Sequence, residues 1–139
     1  MAAFGKRSRS KLDTCHEDIQ MVMDECIKYY DFSVLEGHRT EEVQDDYNAR
    51  GLSKLKWPKS KHNKKPSLGI DIAPYPIDWN DIERFRSLVF FIKGYAMAMG
   101  IEMRLGIDWN DNLKADQSFV DGPHLELVRH LVNDEWIDY

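Results

Sequence analysis

Cysteine is scarce in this 139-residue chain, which has only Cys15 and Cys26, and neither stands in the Cys-x-x-Cys spacing of a structural zinc site. The two lie on what reads as one helix, on the order of 16 Å apart at about 1.5 Å per residue, which excludes a disulfide between them while that helix holds. A chain without disulfides fits folding in a reducing compartment. Long apolar runs are also missing. Nothing approaches the ~20 residues of a membrane span, and the basic start MAAFGKRSRSKLD is not followed by the apolar stretch of a secretory signal. The expectation is a cytoplasmic chain without membrane insertion, reaching an outside target only if something else releases it. The chain has no internal repeat, which excludes a solenoid.

What is present is ordinary for a globular domain: 42% apolar and 31% charged residues. That length and composition predict one domain over 1–139, with a flexible basic N-terminus at 1–10. The net charge of -5 is unevenly spread. Between Tyr47 and Ile70 there are seven Lys/Arg and no acid, whereas Gly106 to Tyr139 holds eight acids and two bases. The basic segment 50–65 (Arg50, Lys54, Lys56, Lys59, Lys61, Lys64, Lys65) suits steering of an anionic polymer, or is a solvated lysine-rich loop.

Apolar residues at threes and fours from Lys11 to Tyr30 predict an amphipathic helix. Phe32 to Glu36 is β-prone, and Thr40 caps a second predicted helix to about Arg50 with Val43 and Tyr47 inward. Gly51 to Ser67 reads as a long surface loop, and Leu68 to Ile72 as a strand broken by Pro74 and Pro76. Asp78 stands as the N-cap of the most periodic helix, Trp79 to Met99, which Gly100 stops. Ile101 to Leu105 and His124 to Val128 read as strands, the latter with His124, Glu126 and Val128 on one face. The order implies an α+β fold: a small, mostly antiparallel sheet packed with about three helices.

Metal-type ligands gather at strand edges. SKHNKKPSLGID supplies His62 and Asp71, and DGPHLE supplies Asp121, His124 and Glu126. Taken singly, each histidine reads as solvated or docked on the surface. Asp71 between Ile70 and Ile72 needs a partner, because an unpaired buried carboxylate costs several kcal/mol. Two imidazoles and a carboxylate make a catalytic zinc set whose fourth position is left to water, with the water pKa lowered to about 7. Asp108, Asn110, Asn112 and Asp116 alternate oxygen ligands and make calcium an alternative to a polar turn. An EF-hand would need Gly and Glu where Leu113 and Phe119 stand. Tyr75, Trp79 and Trp109 are core residues or groove-lining aromatics.

Ser60, His62, Gly69, Asp71, Ala73 and Pro74, followed by Asp121, Pro123, His124 and Glu126, form two ordered motifs, with Glu36, Gly37, Arg39 and Thr40 upstream. The pattern resembles the D-alanyl-D-alanine carboxypeptidase (VanY-like) metallopeptidases, and more closely their phage branch of L-alanyl-D-glutamate endopeptidase endolysins. The resemblance spans about Leu35 to Val128. It implies a Hedgehog/D,D-peptidase-like fold with the zinc site at the sheet and with Zn2+ on His62, Asp71 and His124. It further implies that Asp121 is general base and acid, that Arg39 polarises the substrate carbonyl, and that Glu126 orients an imidazole or forms a salt bridge. The implied activity is hydrolysis of peptidoglycan stem peptides, at L-Ala-D-Glu, during phage-driven host lysis. It carries with it holin-dependent release from the host cytoplasm to the periplasm and wall, a monomer, no nucleic-acid partner and no separate wall-binding domain. Gly69 replaces the usual alanine and Leu125 the usual aromatic, small changes expected to spare the metal. Leu105-Gly106-Ile107-Asp108-Trp109 stands where the phage pattern has Trp-Gly-Gly-Asp-Trp, which bears on the substrate groove. The alternatives are a D-Ala-D-Ala carboxypeptidase, with Lys54, Lys61 or Lys64 holding the free carboxylate, and a non-catalytic zinc- or polyanion-binding module.

Overall fold

Alternation of apolar and polar residues produces the strands that place the site, and the computed structural model of the chain describes residues 2–108 and 122–139. In chain order the helices are α1 (Lys6–Leu12), α2 (Glu17–Cys26), α3 (Glu41–Ala49) and α4 (Ile82–Ala98), with a 3-10 turn at Lys61–Asn63. The strands are β1 (Phe32–Glu36), β2 (Gly69–Pro74), β3 (Ile101–Leu105), β4 (His124–Val132) and β5 (Glu135–Asp138). They form one sheet in the order β1-β2-β4-β3, with β5 also on β4, and every pairing is antiparallel.

Strand periodicity divides the sheet into two faces. Ile70 and Ile72 on β2 and Leu125 and Leu127 on β4 are fully buried in the core with Leu88, Val89, Ile92 and Ala96 of α4 and Ile19, Val22 and Met23 of α2. Helix α4 packs on β2 and β3, α2 packs on α4, and α1 packs on β1. The alternate residues, Gly69, Asp71, His124 and Glu126, turn to the opposite face. Register then sets them side by side: Glu36 pairs with Asp71, Asp71 with His124, and Gly69 with Glu126. A bulge between Val34 and Glu36 brings the end of β1 into that row.

Several expectations change. The start expected to be flexible over 1–10 contains α1, anchored by the fully buried Leu12 and by Ser8, whose hydroxyl accepts from the Val34 amide. The single helix expected over Lys11 to Tyr30 is two helices. His16 caps α2 by accepting the Asp18 amide on Nδ1, and Cys15 forms a parallel bridge with Ser67 instead of lying on the helix. Both cysteines are free and buried. On α3, Thr40 is the cap as expected, yet Gln44 turns inward while Val43 is exposed. Helix α4 is capped by Asp81, not Asp78, so Trp79 precedes it, exposed, with its ring stacked on Phe85. Strand β2 runs on to Pro74. The C-terminal residues, for which the sequence predicts no element, extend β4 to Val132 and form β5, joined to it by Asn133 and Asp134, both at positive φ (50° and 65°), the backbone of a two-residue type I′ hairpin.

Candidate metal centre

Three ligand atoms meet at one point. His62 Nε2 lies 3.2 Å from Asp71 Oδ1 and 3.1 Å from His124 Nδ1, and His124 Nδ1 lies 3.1 Å from the same Asp71 oxygen. Each side chain arrives by a different route. Ser60 caps the 3-10 turn by accepting the His62 amide, and Asn63 closes a reciprocal capping box, so the loop is rigid where it presents His62. Asp71 and His124 are cross-strand neighbours.

Beyond the ligand atoms, each imidazole is fixed by its other nitrogen. His62 Nδ1 donates to the Gly37 carbonyl at 2.7 Å, and His124 Nε2 donates to Glu126 Oε1 at 2.9 Å. Those bonds set the tautomers, leaving His62 Nε2 and His124 Nδ1 as lone pairs aimed at the Asp71 oxygen. Three lone pairs this close repel unless a cation sits among them. A tetrahedral zinc with bonds of about 2.0–2.1 Å separates its ligand atoms by roughly 3.3–3.4 Å, close to the spacing found. The donor set and geometry thus fit a divalent metal, and these three residues form a group able to hold one.

Burial alone would raise the Asp71 pKa, but when protons take the place of a cation on the facing nitrogens, the charge of His62 and hydrogen bonds from both imidazoles outweigh it and hold the carboxyl well below its usual range. Glu126 follows the same balance: burial opposes ionisation, while the hydrogen bond from His124 and the charges of Lys61 and Arg104 lower its pKa.

Arg39 stands beside the ligands, with its NH2 group 3.8 Å from Asp71 Oδ2. Its fork grips Glu36 through Nε at 3.0 Å and NH2 at 2.8 Å, NH1 donates to Gln44 Oε1 at 2.8 Å, and the guanidinium lies 4.7 Å over the Tyr47 ring. Gln44 is fully buried, and its amide nitrogen donates to Ser53 Oγ and the Leu55 carbonyl, tying α3 to the loop. The sequence reading did not single out Gln44. Its one signal was a polar residue at an inward position of a short amphipathic helix. Gly37 matters through its carbonyl and through close packing, since a Cβ there would meet Thr14 Oγ1 at 2.2 Å and the Lys11 carbonyl at 2.5 Å. Gly69, expected to be a neutral change, lies against the site: its Cβ would stand 3.1 Å from His124 Cε1.

The three residues line a cleft of about 620 Å³ together with Arg39, Tyr47 and, from the basic loop, Lys54, Lys59 and Lys61. Gly122 and Pro123 also line it. Tyr75 and Trp79 are exposed and do not line this cleft. Asp121 and Trp109 lie outside the described residues, as do Asn110, Asn112 and Asp116 of the calcium reading. The fourth member of that cluster, Asp108, is fully buried and bridged to Leu105.

The fold and site define an α+β domain with two histidines and a carboxylate, placed to hold a metal ion, on the polar face of an antiparallel sheet. A family model described as phage L-alanyl-D-glutamate peptidase matches residues 1–128, and the chain belongs to that family. It is 37% identical over 137 residues to the L-alanyl-D-glutamate peptidase of Escherichia phage T5, covering 90% of this chain and 97% of that protein. Its fold is similar to the crystal structure of the Serratia marcescens L-Ala D-Glu endopeptidase ChiX, with a TM-score of 0.72, 23% identity and coverage of 91% of this chain and 90% of that one.

Proposed function

We propose that the chain is a phage endolysin that hydrolyses the amide between L-alanine and D-glutamate in peptidoglycan stem peptides, using zinc held by His62, Asp71 and His124. The observation that carries this reading is the convergence of three lone-pair donors in the lining of an open cleft, in a chain whose family is named for that peptidase activity. Zinc held there would supply Lewis acidity, enough to lower the pKa of a water molecule to about 7 and to polarise a carbonyl.

The protein's residues do the rest. The Gly37 carbonyl and Glu126 keep both imidazole lone pairs pointed inward. Asp121, three residues before His124, takes the proton of the attacking water and returns it to the leaving amine. Glu36 and Gln44 occupy three of the Arg39 N–H groups and fix the plane of its fork. The remaining N–H groups donate to the substrate carbonyl as charge develops on its oxygen, a role worth roughly 2.7–4 kcal/mol when one donor is removed. The endolysin acts as a monomer, leaves the host cytoplasm through a holin pore and works in the periplasm and wall; among the described residues no helix is long and apolar enough to cross a membrane.

Metal analysis beside product masses from purified muropeptides tests the reading. The expected result is about one zinc per chain and fragments cut after L-alanine. Release of D-alanine alone would instead establish the carboxypeptidase, and full activity of metal-free protein would falsify the zinc mechanism. Asp121→Asn is expected to retain zinc while turnover collapses.

A further inference from the structure

The charge of the cleft is unevenly spent. Among the described residues each acid that lines it has a partner within the site: Glu36 holds Arg39, Asp71 faces both imidazoles, and Glu126 accepts from His124. The basic loop adds Lys54, Lys59 and Lys61 to the lining; among the described residues neither Lys59 nor Lys61 is within ion-pair distance of a carboxylate, and the charge of Lys61 reaches Glu126. Lys61 directly precedes the ligand His62 and is half-buried, while Lys54 and Lys59 are exposed. A substrate entering this cleft therefore meets a cluster of positive charge next to the candidate metal centre.

The chemistry of the proposed substrate supplies a match. A glutamyl residue acylated on its amine has two carboxyl groups, and the chain continues through one at most. A free carboxylate therefore lies within a few bonds of the scissile amide. We infer that Lys54, Lys59 and Lys61 form an anion-binding wall that reads this carboxylate, so the enzyme selects stem peptides in which it is free over those in which it is a carboxamide. The inference rests on the proposed function, and it gives the basic loop a role in substrate selection beyond steering. A lysine suits the task because its compact charge on a flexible stem follows a carboxylate without demanding one geometry.

Matched stem peptides that differ only in a free carboxylate or a primary carboxamide at that position provide the test. Zinc-loaded wild-type protein is expected to favour the carboxylate in kcat/KM on the order of tenfold, the equivalent of one hydrogen bond to a charged group, and to lose part of the preference at high salt. In the triple variant Lys54→Gln, Lys59→Gln, Lys61→Gln the ratio between the two peptides should fall toward one, and the corresponding triple arginine variant should restore it. Calorimetric binding of both peptides to metal-free protein reads the same preference without turnover. Equal kcat/KM for the two peptides in wild type, or a preference that survives in the glutamine variant, overturns the wall while leaving the peptidase intact. Cleavage of neither peptide by zinc-loaded wild type overturns the proposed function and the inference with it.

Discussion

At the residue scale, the candidate ligands were readable from two ordered motifs that resemble a metallopeptidase family; residue chemistry alone left each histidine open to a solvated or docked reading and asked only that Asp71 have a partner. Their supports were less readable. A backbone carbonyl such as that of Gly37 has no letter in the sequence, and Gln44 on a helix face looks like an ordinary surface amide until packing buries it. Asp121 and Arg39 were named from motif order, and only Arg39 falls among the described residues. The contact between Glu126 and His124 leads to a prediction. Glu126→Gln keeps the size of the side chain but removes the charge that fixes the imidazole, so zinc affinity should fall about 10- to 100-fold, measured by competition with a chelating dye. A role for Glu126 confined to the Arg104 side of the sheet would leave affinity unchanged.

At the element scale, strands β1 to β4 and helices α3 and α4 were legible in outline because their periodicity is strong, whereas boundaries were not. The break between α1 and α2 was hidden because apolar spacing continues across it; the interruption comes from the distant Ser67 pairing with Cys15, which no local pattern encodes. Similarly, α4 begins late because Asp81, not Asp78, has its carboxylate placed to accept the Arg84 amide. Helix α3 matters beyond its size, since it presents Gln44 to Arg39. Thr40→Ala removes the side chain that accepts the Val43 amide and should cost about 1 kcal/mol in urea unfolding. It should also lower kcat/KM, because fraying of the first turn loosens Gln44; wild-type kinetics in a destabilised variant would disconnect α3 from the site.

At the scale of the whole molecule, a single core built from both cysteines, the sheet and three helices makes stability depend on alkaline pH. Burial pushes the Cys15 and Cys26 thiols up to about 12 from the ordinary value of 9.0. The folded chain keeps both protons where the unfolded chain begins to lose them, so the thiols' contribution is complete below pH 9 and is lost as pH rises toward 12. The urea midpoint should therefore fall between pH 8 and 10, and less so in a Cys15→Ala, Cys26→Ala variant; equal slopes would remove the thiols as the cause. Strand β4 carries a different consequence. It shows leucines to the core and His124 and Glu126 to the cleft, so a slip of one residue would trade the His124 imidazole for a leucine on both faces at once. In evolutionary terms, this strand admits no insertion that keeps the fold and loses only catalysis, whereas the Asn133-Asp134 turn at its far end is where length can vary without reaching the active centre.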